Sequence, residues 1–137
     1  MFITFEGGEG SGKTTLIVQL RDVLIQQGHA VLVSREPGGT QLGEAIRGWL
    51  LKSEYDGLIG NMAELLLFLA ARAQHLKQVI RPALEHGKIV LCDRFNDSSV
   101  VYQGIARKLG KEKVQALCAQ ACEGIEPDKT FLLDVVP

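Results

Sequence analysis

The stretch Gly7-Gly8-Glu9-Gly10-Ser11-Gly12-Lys13-Thr14 decides how the rest of this chain is read. It fits G-x-x-x-x-G-K-[ST] without a mismatch, and its flanks are those the pattern requires, a strand-like run before and a helix-like run after. Glycines let the backbone curl until successive N–H groups point inward around phosphate oxygens. A helix opening at Lys13 adds the positive end of its dipole. In that geometry Lys13 reaches the β- and γ-phosphates, and the Thr14 hydroxyl ligates Mg²⁺. The competing account is a plain glycine turn that happens to carry Lys-Thr. Four glycines within residues 7–12, at this spacing, argue against it. The motif specifies a nucleoside triphosphate and no more: kinase, GTPase, transport ATPase and passive nucleotide sensor stay open.

Working outward, Met1–Glu6 is an apolar, β-branched and aromatic run that reads as a buried strand. Leu16, Val18, Leu20, Val23 and Leu24 suit a buried helix from Lys13 to about Gln27, with Gly28 as its stop. Ala30–Ser34 reads as a second buried strand. Pro37-Gly38-Gly39 breaks structure, and Thr40 is a candidate cap for a helix through about Leu51. A polar loop with Asp56 and Gly57 follows, then a long helix from near Asn61 to about His86, with a bend expected near Pro82. Lys88–Cys92 is a third strand, helical patterns fill 96–108 and 111–123, and Thr130–Val135 reads as a fourth buried strand. Strands alternating with helices predict an α/β fold, a parallel sheet flanked by helices on both faces in three layers. Together with the phosphate loop this is a P-loop NTPase fold. A buried strand with no crossover helix after it predicts that residues 1–137 form a single but incomplete domain, its C-terminal part missing.

With 137 residues the chain is long enough to bury a core. Lys and Arg number 15 against 16 Asp and Glu, which gives no support to a general nucleic-acid binder. That balance still permits a local basic pocket, which needs only a few arginines. No segment is apolar for long enough to span a membrane, and the N-terminus lacks a secretory pattern. With the odd cysteines Cys92, Cys118 and Cys122, this predicts a cytoplasmic protein. Cys118 and Cys122, spaced i, i+4, read as small core residues, since no histidine stands at a zinc-type spacing to them.

Three further clusters carry polar chemistry. Asp93-Arg94 follows the third strand, where open α/β sheets place ligand-facing residues. The carboxylate suits a Mg²⁺ contact and the arginine suits phosphate neutralisation, against a plain surface ion pair. Arg35-Glu36-Pro37-Gly38-Gly39-Thr40 follows the second strand and reads equally as a ligand-holding turn or as an ordinary turn with solvated charges. On the long helix Phe68 and Arg72 share a face with Glu64. On residue grounds alone Phe68 is a core residue past which Arg72 runs to water; the alternative stacks Phe68 on a base that Arg72 hydrogen-bonds.

The ordered series FEGGEGSGKTT (5–15), REPGGTQLGEAIR (35–47), ELLLFLAARAQH (64–75), DRFNDSSVVYQG (93–104) and PDKTFLLDV (127–135) resembles bacterial thymidylate kinases. The resemblance runs from Phe2 to Val135, and its second and fourth blocks are far more specific than the phosphate loop. It implies that Gly7, Gly8, Glu9, Gly10, Ser11, Gly12, Lys13, Thr14 and Thr15 hold ATP. It implies that Glu9 touches the dTMP 3′-hydroxyl, Phe68 stacks on thymine, Arg72 bonds the base's carbonyl edge and Arg94 grips the phosphate. Ser99 and Gln103 would complete the base contacts, Tyr102 would lie where a ribose 2′-hydroxyl would project, and Glu36 and Arg47 would line the pocket. Mg²⁺ would sit by Thr14 and Asp93. Homodimers are typical of the family.

The implied reaction is ATP + dTMP → ADP + dTDP, with Lys13, Arg94, Asp93 and Glu9 at its centre. One departure stands out: the loop position that is basic in some members is Gly10 here. The bacterial type supplies arginines from a lid after the fourth strand instead. Such arginines contribute on the order of 10³–10⁵ in rate in phosphoryl transfer. The expectation is therefore a chain that binds nucleotides and turns over slowly without a lid. The rivals are another nucleoside monophosphate kinase and a nucleotide-binding module; the guanine-reading N-K-x-D of GTPases is absent from the sequence.

Overall fold

The computed structural model describes residues 1–135, Ser53 by its backbone alone. Pro137, where the lid was expected to begin, lies outside them. Four strands, β1 (Phe2–Glu6), β2 (Val31–Arg35), β3 (Ile89–Asp93) and β4 (Lys129–Leu132), form one parallel sheet in the order β2-β3-β1-β4. The register pairs Phe5 with Asp93, Arg35 with Asp93 and Glu6 with Leu132. The carboxyl ends of all four strands therefore open on one edge of the sheet, where α/β folds bind ligands.

Alternation along the strands feeds two cores. Ile3, Phe5 and Leu91 face α1 (Lys13–Gln26) and pack on Ile17, Leu20 and Leu24. Phe2, Val90 and Cys92 face the other way, onto Leu76, Ile80, Ala83, Phe95 and Cys122. A third cluster joins Leu65 and Leu69 of α3 (Asn61–His75) to Val114 and Cys118 of α6 (Lys111–Cys122). The three-layer α/β expectation holds, Cys118 and Cys122 are buried thiols as expected, and Cys92 is buried as well. Burial pushes the Cys92 thiol well up, so it stays protonated and behaves as a small apolar residue.

Several local expectations are corrected. The second strand is an edge strand, half-buried to exposed rather than buried, because only β3 flanks it. The fourth strand ends at Leu132, not Val135, and all four of its residues are exposed at the opposite edge, although Phe131 stacks on Phe5 at 5.6 Å. α1 is not a buried helix: Leu16, Val18 and Val23 are exposed, and one narrow face carries the packing. Near Pro82 the long helix departs from regular α geometry. A π turn, Leu76–Ile80, interrupts it between α3 and α4 (Arg81–Glu85), one turn ahead of the residue that lacks an N–H donor. The helix expected over 96–108 starts as α5 (Asn96–Ser99) and continues as a π segment, Val100–Ala106. Thr40 caps α2 (Gln41–Leu51) as read, its Oγ1 accepting from Gly43 N at 2.8 Å.

Candidate active site

β1 runs straight into the phosphate loop. Gly7 takes φ +151°, and a Cβ there would stand 2.8 Å from the Leu133 carbonyl oxygen, so close approach of the chain after β4 requires glycine. Gly12 takes φ +91° and offers no side chain to cap α1, whose first turn also holds no acidic residue. The open N–H groups and the positive dipole end are thus left for an external anion. Lys13 is buried, its Nζ donating to the carbonyls of Gly7 at 2.9 Å and Gly8 at 3.3 Å, with Asp93 Oδ1 at 3.9 Å. Ser11 Oγ and Asp93 Oδ1 are buried with no hydrogen-bond partner, a costly arrangement for polar oxygens.

Beside the loop lies a cavity of about 580 Å³. Thr14 of α1, Ser34 to Glu36 at the exit of β2, Gly39, Arg47 and Asp93-Arg94 at the exit of β3 line it. Three guanidiniums converge there. Burial lowers the Arg47 pKa, and repulsion from Arg35, with a smaller share from Arg94, lowers it further. Glu44 and Asp93, which line the same cavity, offset part of that repulsion, and a bound anion would relieve more of it. Arg47 donates to the Pro37 carbonyl at 3.0 Å, and Arg35 donates to Glu44 at 3.1 Å. The other Glu44 oxygen accepts the Gly39 N–H at 3.1 Å, which is the chief cause of its lowered pKa. Arg94 holds φ +71°, with its N–H bound to the Phe5 carbonyl at 2.9 Å and its guanidinium 5.6 Å from the Tyr102 ring centroid.

Beneath the cavity Glu36 is buried and doubly engaged. Its Oε1 accepts from Arg72 Nε at 2.6 Å, and its Oε2 meets His75 Nδ1 at 2.8 Å. The second imidazole nitrogen meets Ser34 Oγ at 2.6 Å. Arg72 is 2% exposed, lies 5.0 Å over the Phe95 ring and reaches Cys118 Sγ at 3.7 Å. The expectation that it runs past Phe68 to water is corrected. An ion pair with Glu36 and a cation–π contact with Phe95 hold it inside, and nothing ties it to Phe68.

Among the residues singled out by sequence, Thr14, Glu36, Arg47, Asp93 and Arg94 share the cavity lining. Arg72 lies under it, and Tyr102 reaches it through Arg94, its hydroxyl 3.4 Å from the Arg94 guanidinium. Half-buried Phe68, buried Ser99 and exposed Glu9 stand outside that lining. So does Gln103, which donates to Glu64 at 2.9 Å. Sequence reasoning passed over His75, Ser34, Phe95 and Glu6. Spacing could have flagged His75, three residues after Arg72 and so on the same helix face. Glu6, at the end of β1, binds the Phe95 N–H at 2.8 Å and the Ser98 hydroxyl, and burial raises its pKa.

The geometry agrees with what the chain is similar to. The family profile described as Thymidylate kinase matches residues 5–137. The curated thymidylate kinase of Protochlamydia amoebophila is 59% identical over 136 residues, covering 99% of this chain and 60% of that protein. That of Desulfovibrio desulfuricans is 53% identical, covering 98% of this chain and 62% of that protein. The chain thus spans about three-fifths of the length of these relatives. The crystal structure of thymidylate kinase from Ehrlichia chaffeensis superposes with a TM-score of 0.89 at 40% identity, covering 98% of this chain and 71% of that one. Phosphate loop, sheet order and sequence agree: the chain belongs to the thymidylate kinase family.

Proposed function

We propose that this chain carries the ATP-phosphate loop and the acceptor cavity of a dTMP kinase, which moves the γ-phosphoryl of ATP to dTMP and gives dTDP for dTTP synthesis. The observation that carries this reading is the convergence of Arg35, Arg47 and Arg94 on one cavity whose lining also includes Thr14 and Asp93. Residues 7–15 hold the ATP phosphates, Lys13 leaving the Gly7 and Gly8 carbonyls to reach them. Arg94 and Arg47 take the acceptor phosphate, and Glu36 shapes the cavity. Glu9, Phe68, Arg72, Ser99, Tyr102 and Gln103 take the sugar and base roles that the family resemblance implies.

The acceptor oxygen is already anionic at neutral pH, so the chain needs no general base. Lys13 and Arg94 act by position, holding donor and acceptor in line and offsetting charge on the oxygens around the phosphoryl in flight. A Mg²⁺ site fits the residues present. The unpartnered Asp93 Oδ1 and the Thr14 hydroxyl supply one or two protein ligands, the number such ions take when phosphates complete the shell. A Mg²⁺ held by these two residues would supply charge neutralisation to the phosphates. Among the described residues no group of three acidic, His or Cys side chains forms a cage, in keeping with a metal that arrives with its nucleotide. Three buried free thiols support a cytoplasmic setting, and no helix among the described residues is long and apolar enough to cross a membrane. The homodimer that the family resemblance implies would use the long helix as part of its interface.

The test is a thermal-shift titration with dTMP, UMP and AMP, with Mg-ATP as control. A ligand at 100 times its Kd stabilises the native state by about 2.7 kcal/mol. Selective stabilisation by dTMP is expected. Equal stabilisation by UMP or AMP would replace the acceptor with another nucleoside monophosphate, and stabilisation by Mg-ATP alone would reduce the chain to a nucleotide-binding module.

A further inference from the structure

We infer that His75 is a positioning residue for the acceptor cavity, acting from beneath it through Ser34, Glu36 and Gly39. The inference rests on the acceptor reading above and adds to it a residue that touches no ligand. His75 is fully buried and is not itself part of the cavity lining, yet three of the lining residues are in contact with its ring. Nδ1 meets Glu36 Oε2 at 2.8 Å, and Nε2 meets Ser34 Oγ at 2.6 Å. Gly39 closes over the same ring. A Cβ there would collide with Nε2 and stand 2.8 Å from Ser34 Oγ, and φ +82° already favours glycine.

The hydrogen-bond chemistry orders this arrangement. A carboxylate oxygen accepts, so the nitrogen facing Glu36 carries a proton, while Ser34 Oγ, which can give or accept, pairs with the other nitrogen. One ring thus bonds a carboxylate on one side and a hydroxyl on the other, and neither bond survives a flip of the ring without loss. Glu36 is left with a single orientation, Oε1 towards Arg72 and Oε2 towards His75. The consequence is a floor whose polar groups are fixed before any acceptor arrives, the condition under which binding costs least ordering. The phosphate loop shares none of these contacts, so the effect is confined to the acceptor.

Calorimetric titration of the full 137-residue chain with dTMP and, separately, with Mg-ATP tests this across three variants. His75→Asn keeps an amide N–H near the Nδ1 position and so keeps the Glu36 bond. His75→Gln places its amide near Nε2 and keeps only the Ser34 side. His75→Ala keeps neither. Losing a hydrogen bond to a charged group corresponds to roughly a ten-fold change or more. We expect dTMP to bind the Asn variant within about three-fold of the parent, and the Gln and Ala variants at least about ten-fold more weakly. Mg-ATP should bind all three within about two-fold of the parent. Melting temperature, followed in parallel, separates positioning from folding. If all variants melt lower but bind dTMP like the parent, His75 is structural only and the inference falls. Parallel loss of Mg-ATP, or equal behaviour of Asn and Gln, overturns it as well. A parent chain that binds Mg-ATP but not dTMP overturns the acceptor reading first and this inference with it.

Discussion

Around the phosphate loop the polar groups are either open or make do with temporary partners. Lys13 folds back onto two carbonyls of its own loop, the helix behind it has no cap, and buried oxygens of Ser11 and Asp93 have no partner. A short distance away, under the arginine-lined cavity, the situation is reversed. Ser34, His75, Glu36 and Arg72 are joined by hydrogen bonds in one chain, and all but Ser34 are buried. The first region stores unmet hydrogen-bonding capacity that a triphosphate can satisfy, and the second has spent its capacity on rigidity. Substitutions in the two regions should therefore separate Mg-ATP binding from stability.

The largest effect should come from the closed region. Arg72→Ala strands the buried Glu36 carboxylate with only its imidazole partner. It should lower unfolding stability by about 3–5 kcal/mol, as breaking one side of a buried ion pair does. Urea denaturation measures this, and a loss under about 1 kcal/mol would mean that the pair is not desolvated as the contrast requires. Lys13→Met probes the open region. It should weaken Mg-ATP binding at least ten-fold, about 1.4 kcal/mol, yet change stability by less than about 1 kcal/mol, because the Gly7 and Gly8 carbonyls can turn to water. Equal losses in affinity and stability would erase the distinction. Between the two regions, Thr40→Ala removes the cap of α2, which carries Glu44 and Arg47, and should cost about 1 kcal/mol in the same denaturation assay. An unchanged midpoint would mean that water replaces the cap without loss.

The smallest effect concerns pH. Burial raises the Glu6 pKa above 4.5, so the folded chain holds that proton more tightly than the unfolded one. This contribution to stability is present at acid pH and is lost as pH rises from about 4.5 through the raised value. Glu6→Gln keeps an acceptor for the Phe95 N–H and removes the titration. Its denaturation midpoint should fall less with rising pH over that window, and an identical slope in parent and variant would sink the assignment.

The open region was readable from sequence because its function is local. Eight consecutive residues contain the turn, the helix start, the lysine and the hydroxyl, and their spacing alone specifies the geometry. The alternating runs likewise revealed strands β1 and β3, whose neighbours on both sides bury them. Exposure of β2 and β4 was not readable, because an apolar run does not say whether it will lie at an edge. The closed region was hidden for a different reason. Glu36 and Arg72 are separated by 36 positions, so their pairing is a product of the tertiary fold, and it reverses the local expectation that Arg72 reaches water. His75 carried a faint signal in its phase with Arg72, but only the approach of β2 tells what its two nitrogens meet.

The π segment at Val100–Ala106 bears on how related sequences should be aligned here. Arg107 N reaches back five residues to the Tyr102 carbonyl at 3.0 Å, so this turn holds one residue more than an α-helix would. Exposed Val101 and Ile105 can change identity freely, whereas a one-residue gap would tighten the turn and rotate everything beyond it by about 100°. Gln103 would then leave Glu64, and Tyr102 would leave Arg94. In this stretch the number of residues weighs more than any one identity, and a deletion should be far more damaging than any single mismatch.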